Sequence, residues 1–314
     1  MIFDYQMSAI NYLKQFIALT LIALIGLPLS LLAQVDQDFD LLVLPPLIAA
    51  SNTQSQSDPS LPNVKPGPMN TGVTPPLTAS SGLTITENNA LIESLDIDGC
   101  IKVEANNVTI RNVRIDCSGF YGITIVSGYT ETLIEDVEIL GMRSSGILGS
   151  EFTLRRANIH DSGGDAIKPT RNAVIEDSWF HRLGYIADSH SDGVQMVSGE
   201  NVTIRGNNFD MPYDLAGFTN SQCMIIQTNN GPIDNILIEG NWLNGGGYCV
   251  QINDKGNGYG GPTNVRIINN KFGRDCQFGI LRFRDSSPTL ADNVWEQTGE
   301  PIGDDFTICN NDFE

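Results

Sequence analysis

Asp165, Lys168, His190, Asp192 and Gln195 fall in two short motifs, DAIKP (165–169) and HSDGVQM (190–196). The motifs align, setting Asp165 on Asp192 and Lys168 on Gln195. The chain's three histidines, His160, His181 and His190, all lie close by. Paired carboxylates raise one another's pKa, and a lysine or protonated histidine lowers it. Such a patch can hold and move protons near neutral pH. Each residue also has a plain reading. An Asp before Gly commonly caps its own turn, His181 beside Trp179 and Phe180 could pack in a turn, and Lys168 before Pro169 could face solvent. Their coincidence is what singles them out.

Two reactions suit these side chains. In β-elimination on a uronate polysaccharide, a base takes the C5 proton, a cation neutralises the carboxylate and an acid assists the leaving oxygen. Lys168 or His190 is the candidate base. Arg171, Arg282 or a Ca²⁺ held by Asp165, Asp192 or Asp210 is the candidate neutraliser, because hard oxygen ligands suit Ca²⁺. C5 epimerisation uses the same parts with reprotonation. Hydrolysis would use Asp165 and Asp192 as acid and base, and an inverting pair stands roughly 6.5–9.5 Å apart. A non-catalytic glycan-binding or adhesin-like protein is the reading from another class.

The elements that must position these groups come from a repeat. Nine segments share one register: ALIESLDI (90–97), VTIRNVRI (108–115), TLIEDVEI (132–139), FTLRRANI (152–159), AVIEDSWF (173–180), VTIRGNNF (202–209), ILIEGNWL (236–243), VRIINNKF (265–272) and PTLADNVW (288–295). The third residue is always aliphatic and the last always large and apolar. The average step of about 25 residues is that of stacked supersecondary units. Apolar and polar residues alternate within each segment, a strand signal with one buried face. A second short strand belongs to each repeat, as in GITIV (122–126), AIKPT (166–170), GVQMV (193–197), MIIQT (224–228), CVQIN (249–253) and ILRFR (280–284). No helical period appears. The chain is therefore expected to wind into coils whose parallel strands stack about 4.8 Å apart. Asn207, Asn241, Asn270 and Asn293 share one column, the pattern of an amide ladder. A β-sandwich would need hairpin turns that the sequence lacks.

On the xGIxIxx strands, the NVTIRN and NVTIRGNNF segments and this asparagine column, the chain resembles the pectin-lyase-like superfamily over about residues 80–297. NNVTIRNVRI, GDAIKP, HSDGVQ, NWLNGGGY and NVWEQTG are similar to secreted bacterial β-helix proteins. The resemblance implies an all-β, right-handed parallel β-helix of about nine coils, a scaffold that carries lyases, hydrolases, epimerases, esterases and adhesins. HSD (190–192) and GDA (164–166) match the superfamily's hydrolase motifs only in part and in the opposite order.

The register turns the repeat into a map. His160, His181 and Asp210 occupy one column in consecutive coils. Gln195 and Lys168 point outward, as do Gln251 and Arg282 on later strands, and with Gln227 these are candidate sugar-binding residues. The step lengthens at LGYIADSHS (183–191), MPYDLAGFTNSQ (211–222) and DKGNGYGGP (254–262). These inserts are expected to wall a cleft with Tyr185, Tyr213, Phe218 and Tyr259, since aromatic rings suit the apolar faces of sugars.

Residues 1–33 end in an apolar run (16–33) and read as a signal peptide, or as a cell-surface anchor if uncleaved. Residues 34–80 read as a Pro/Ser/Thr-rich linker or lead-in, 81–297 as the β-helix and 298–314 as a C-terminal cap. An extracellular monomer is expected. Six cysteines in an exported chain suggest disulfides. Cys223 and Cys249 align one coil apart, as a bridge or as stacked thiols. Cys276 with Cys309, and Cys100 with Cys117, are the other pairings. A net charge of −19 argues against nucleic acid and anionic membranes as partners.

Overall fold

The fifth residue of every repeat has a left-handed backbone: Ser94, Asn112, Asp136, Arg156, Asp177, Gly206, Gly240, Asn269 and Asp292, with φ between 52° and 64°. Gly, Asn and Asp tolerate this region best. One such residue per repeat turns the chain between two strand directions at the same place in each coil, and this converts alternating segments into a solenoid. The computed structural model describes residues 64–309. The expected signal peptide, residues 34–63 of the lead-in and residues 310–314 lie outside them.

Twenty-four strands, numbered in chain order from β1 (Thr78–Ile85) to β24 (Val294–Trp295), pair parallel throughout. An isolated bridge between Val294 and Pro301 is antiparallel. The fold is a right-handed parallel β-helix of nine coils, without the hairpin pairing of a sandwich. Three faces run along it. Sheet 1 holds the first half of each repeat and sheet 2 its apolar end. β4 (Thr109–Asp116) and β6 (Thr132–Leu140) run through the corner between the two. Sheet 3 is built from β5 (Tyr121–Ile125), β7 (Ser145–Gly149), β10 (Asp165–Pro169), β13 (Ser191–Met196), β16 (Asn220–Gln227), β19 (Tyr248–Asn253) and β22 (Gly279–Arg284). Among the described residues, no helix is long and apolar enough to cross a membrane.

The aliphatic third positions stack as Ile110, Ile134, Leu154, Ile175, Ile204, Ile238 and Ile267, all buried. Phe180, Phe209 and Phe272 fill the core of the later coils. Beside them stands the asparagine ladder. Asn207, Asn241 and Asn270 each donate Nδ2–H to the Oδ1 of the next rung, at 3.0 Å, ending on Asn293. Each Oδ1 also accepts the backbone N–H of the rung before it. Asn241→Ala leaves the backbone N–H of Asn207 and one of its two Nδ2 protons without an acceptor in a dry interior, the other Nδ2 proton still reaching Ile175 O. Chemical denaturation is expected to show a loss of roughly 2–4 kcal/mol. The exposed rung Asn235, bonded to Asn201 at 2.8 Å, should cost under about 1 kcal/mol when replaced by alanine. Equal losses at the two positions would refute a stabilising ladder.

Cys100–Cys117 and Cys276–Cys309 are disulfides, with Cα atoms 4.9 and 5.3 Å apart. The second ties the C-terminal segment to β22, where Ile280 N–H donates to Phe306 O at 2.7 Å and Phe283 packs edge-on against Phe306. Cys223 and Cys249 remain thiols, so the stacked arrangement holds and the bridge does not. Both side chains point into the core, fully buried.

Residues 65–74 lie along the outer face of sheet 2. Lys65 pairs with Glu296 at 2.6 Å, Asn208 Nδ2–H donates to Pro66 O at 2.8 Å, Gly72 N–H to Arg156 O at 2.9 Å, and Thr74 N–H to Asn112 Oδ1 at 2.7 Å. The segment thus crosses the coils from the last back to the second.

Candidate functional site

Sheet 3 does not alternate strictly. Gly193 points at Phe209 in the core, since a Cβ there would meet the Phe209 ring at 2.5 Å, and Val194 beside it is buried as well. Ala166–Ile167, Cys223–Met224 and Cys249–Val250 repeat this pair of consecutive core residues. With two inward residues in succession, the outward positions fall at i and i+3. Asp165 therefore shares a face with Lys168, and Asp192 with Gln195. Two outward rows result, one reading Ser145, Asp165, Asp192, Gln222 and Tyr248, the other Leu148, Lys168, Gln195, Ile225, Gln251 and Arg282.

The first row carries a connected cluster. Lys168 Nζ lies 2.8 Å from Asp165 Oδ2. Asp165 Oδ1 accepts the backbone N–H of Asp192 at 2.8 Å. Asp192 Oδ2 lies 3.1 Å from His190 Nδ1 and accepts from Gln195 Nε2 at 3.2 Å. Asp192 Oδ1 is buried without a partner. The two carboxylates are shut from water, at 1% and 0% exposure, whereas the His190 side chain is 57% exposed. Burial, with the Asp192 charge beside it, pushes Asp165 up to about 7 against the pull of Lys168. Burial also raises Asp192, opposed chiefly by the hydrogen bond from His190. That bond raises His190 in turn. The bond fixes Nδ1 on Asp192 and leaves Nε2 as the ring nitrogen free to meet a ligand.

The inserts do not all wall one cleft. Residues 184–190 and 212–219 leave sheet 2 for sheet 3. Residues 254–262, with Tyr259, sit at the opposite edge of sheet 3, where Thr228 Oγ1 bonds Gly260 O at 2.6 Å. Lys255 from this loop is near enough to oppose protonation of His190. Tyr185 turns toward the earlier coils, its hydroxyl donating to Gly141 O at 3.0 Å. Tyr213 and Phe218 do line a cleft of about 510 Å³ that His190 borders, together with Gln222, Gln277 and Phe278. Gln222, Gln277 and Phe278 escape the sequence reading. Gln222 stands at the end of the 211–222 insert, in register with Asp192, and Phe278 lies outside any lengthened insert.

The remaining expected site residues are dispersed. His160, His181 and Asp210 share a column, with His181 in register with both neighbours. That column is on sheet 2, around the corner from Asp165. His160 bonds Asp161 at 2.7 Å and Glu138 at 3.1 Å. His181 stacks on Trp179 with ring centres 3.6 Å apart, and burial drives it down to about 3, so the ring is neutral. These two histidines are packed groups on another face and do not join the cluster. Asp210, raised by burial, feels Lys65 instead. The trio Asp165, Asp192 and Asp210 therefore does not converge on a Ca²⁺. Among the described residues, no group of three or more His, Cys, Asp and Glu is arranged to hold a metal ion. Arg171 sits on sheet 1, 3.4 Å from Glu151, away from the cluster. Gln251 and Arg282 occupy the second outward row, where Arg282 lies over the Tyr248 ring at 5.3 Å. Ile225 interrupts that row between Gln195 and Gln251, and Gln227 lies two residues further along the same face, opposite Asn253.

No protein-family model matches the chain, and no curated protein matches it. Among solved structures, an alginate lyase from Paenibacillus sp. str. FPU-7 is similar at 12% sequence identity, covering 68% of this chain and 89% of that one with a TM-score of 0.37. The likeness is remote.

Proposed function

We propose that the protein is an extracellular polysaccharide lyase that cleaves a uronate-containing polymer by β-elimination across the sheet 3 face. The observation that carries this reading is that each buried carboxylate holds one basic group at the surface: Asp165 holds Lys168 and Asp192 holds His190. His190 Nε2 takes the C5 proton, the C4–O bond breaks as the C4–C5 double bond forms, and the imidazolium returns the proton to the departing oxygen. Lys168, positioned by its 2.8 Å contact with Asp165, sits against the uronate carboxylate and stabilises the negative charge that grows on it. Hydrolysis fits less well. Both carboxyls are closed to solvent, so neither reaches a glycosidic oxygen or activates the water an inverting pair needs.

The test is a panel of uronate homopolymers and heteropolymers incubated with the full chain, with and without EDTA, followed by the ultraviolet absorbance of unsaturated product ends. Unsaturated ends on at least one polymer are expected, and their survival in EDTA would place the chemistry on Lys168 and His190 rather than on Ca²⁺. New reducing ends without unsaturation would overturn the lyase reading in favour of hydrolysis. Binding without any cleavage would overturn it in favour of a glycan-binding protein.

A further inference from the structure

The cleft beside His190 has a composition that a uronate does not suit. Tyr213 and Phe278 are exposed aromatic rings, at 42% and 53%, and both line it with Phe218. Its polar lining is amide and hydroxyl, from Gln222, Gln277, Asn220, Ser221 and Thr219. Besides His190, its charged lining group is Asp214, and no Lys or Arg lines it. A carboxylate bound there would meet the like charge of Asp214 and no Lys or Arg, and the His190 ring is already engaged at Nδ1 by Asp192. Gln222 is only 8% exposed, and its Oε1 is buried without a hydrogen-bond partner. A buried acceptor left open destabilises the free protein, and a donating sugar hydroxyl would satisfy it. Aromatic rings with a few fixed polar groups are the recognition elements of an uncharged sugar ring.

We infer that this cleft is a subsite for a neutral sugar unit, so the substrate is a heteropolymer in which a neutral sugar adjoins the uronate at His190 and Lys168. The inference rests on the lyase reading for its second half only. Gln222 accepts a hydroxyl of the neutral unit, and Tyr213 and Phe278 stack on its faces. Lys168 lies in the other outward row and serves the charged unit, so the two units are sorted by charge across the sheet.

Two measurements on the full chain test it. Calorimetric titration compares neutral gluco-, manno-, galacto- and rhamno-oligosaccharides with oligogalacturonate and oligomannuronate. At least one neutral series is expected to bind, and Gln222→Ala and Phe278→Ala should each weaken it about threefold to tenfold. Phe278 is exposed, so its variant keeps the test sound if Gln222→Ala folds poorly. Binding of oligouronates as tight as that of every neutral series, or neutral binding unchanged in both variants, overturns the subsite. The second measurement compares unsaturated-end formation on alternating heteropolymers and on homopolymeric uronates. A higher kcat/KM on a heteropolymer, lost in Gln222→Ala, is expected. Equal cleavage of homopolymers overturns the subsite and leaves the lyase standing. Neutral-sugar binding with no unsaturated ends on any polymer supports the subsite and overturns the lyase.

Discussion

His190→Ala is expected to lower the rate of unsaturated-end formation by roughly 10²–10⁴-fold, the usual contribution of a positioned proton-transfer group. The side chain is more than half exposed but is the chief partner of the buried Asp192, so the unfolding midpoint is measured beside the rate to separate chemistry from folding. The pH profile is the finer readout. The base acts deprotonated, and its bond to Asp192 holds it above the ordinary imidazole range. The wild-type rate should therefore climb with pH over a range displaced upward from that of a free imidazole. Asp192→Asn removes the charge that raises His190, so its rising limb should move to lower pH even as the maximal rate drops. A His190→Ala variant within a few fold of wild type would sink the base assignment. A rising limb that stays in place in Asp192→Asn would break the link between ring and carboxylate.

Asp165→Asn should make the protein more stable in alkali while weakening its activity. The folded carboxyl titrates near about 7 and the unfolded one near 3.8. A raised pKa of this kind contributes stability that is complete below about pH 4 and is lost as pH rises through about 7. Above that point the native state holds a buried charge, only partly offset by Lys168. Asparagine keeps the shape and can still accept the Asp192 N–H, without the charge. Relative to wild type, the variant should gain on the order of 1–3 kcal/mol between about pH 5 and about pH 9 in denaturant titrations. Its activity should fall at all pH values, because Lys168 loses the anchor that presents it. A stability difference that does not change with pH would show that Asp165 is not held protonated. The combination expected, less stable but active against more stable but impaired, is what a buried charge kept for function produces.

Much of this was legible without coordinates. The third positions and apolar ends define the core columns: all nine ends and seven of the third positions are buried, while Ile92 and Leu290 in the end coils are partly buried. The cluster of Asp165, Lys168, His190, Asp192 and Gln195 was also legible, because DAIKP and DGVQM occupy neighbouring coils in one register. The column of His160, His181 and Asp210 was equally visible, but its face was not. Register says which residues stack along the axis. It says nothing of how far a five-residue walk turns around a corner. Between His160 and Asp165 the chain passes through Gly163 and Gly164 from sheet 2 to sheet 3, which separates groups that look adjacent in sequence. The corner itself had an unread signal, the Asn, Asp or Gly that recurs at the fifth position.

The sequence by itself determined the solenoid, its coil count and the stacking of particular residues, since periodic burial and parallel pairing are properties of the pattern alone. Only the tertiary structure decided which face each column occupies. It set two inward residues side by side in sheet 3, which brings Lys168 onto Asp165 and Gln195 onto Asp192. It laid residues 65–74 along the outer face of sheet 2. It joined His190 of one coil to Gln222 and Phe278 of later ones around a single cleft. The reason is physical. Stacking follows from short-range periodicity, whereas a site depends on where the chain bends and on which distant loops return to the same face.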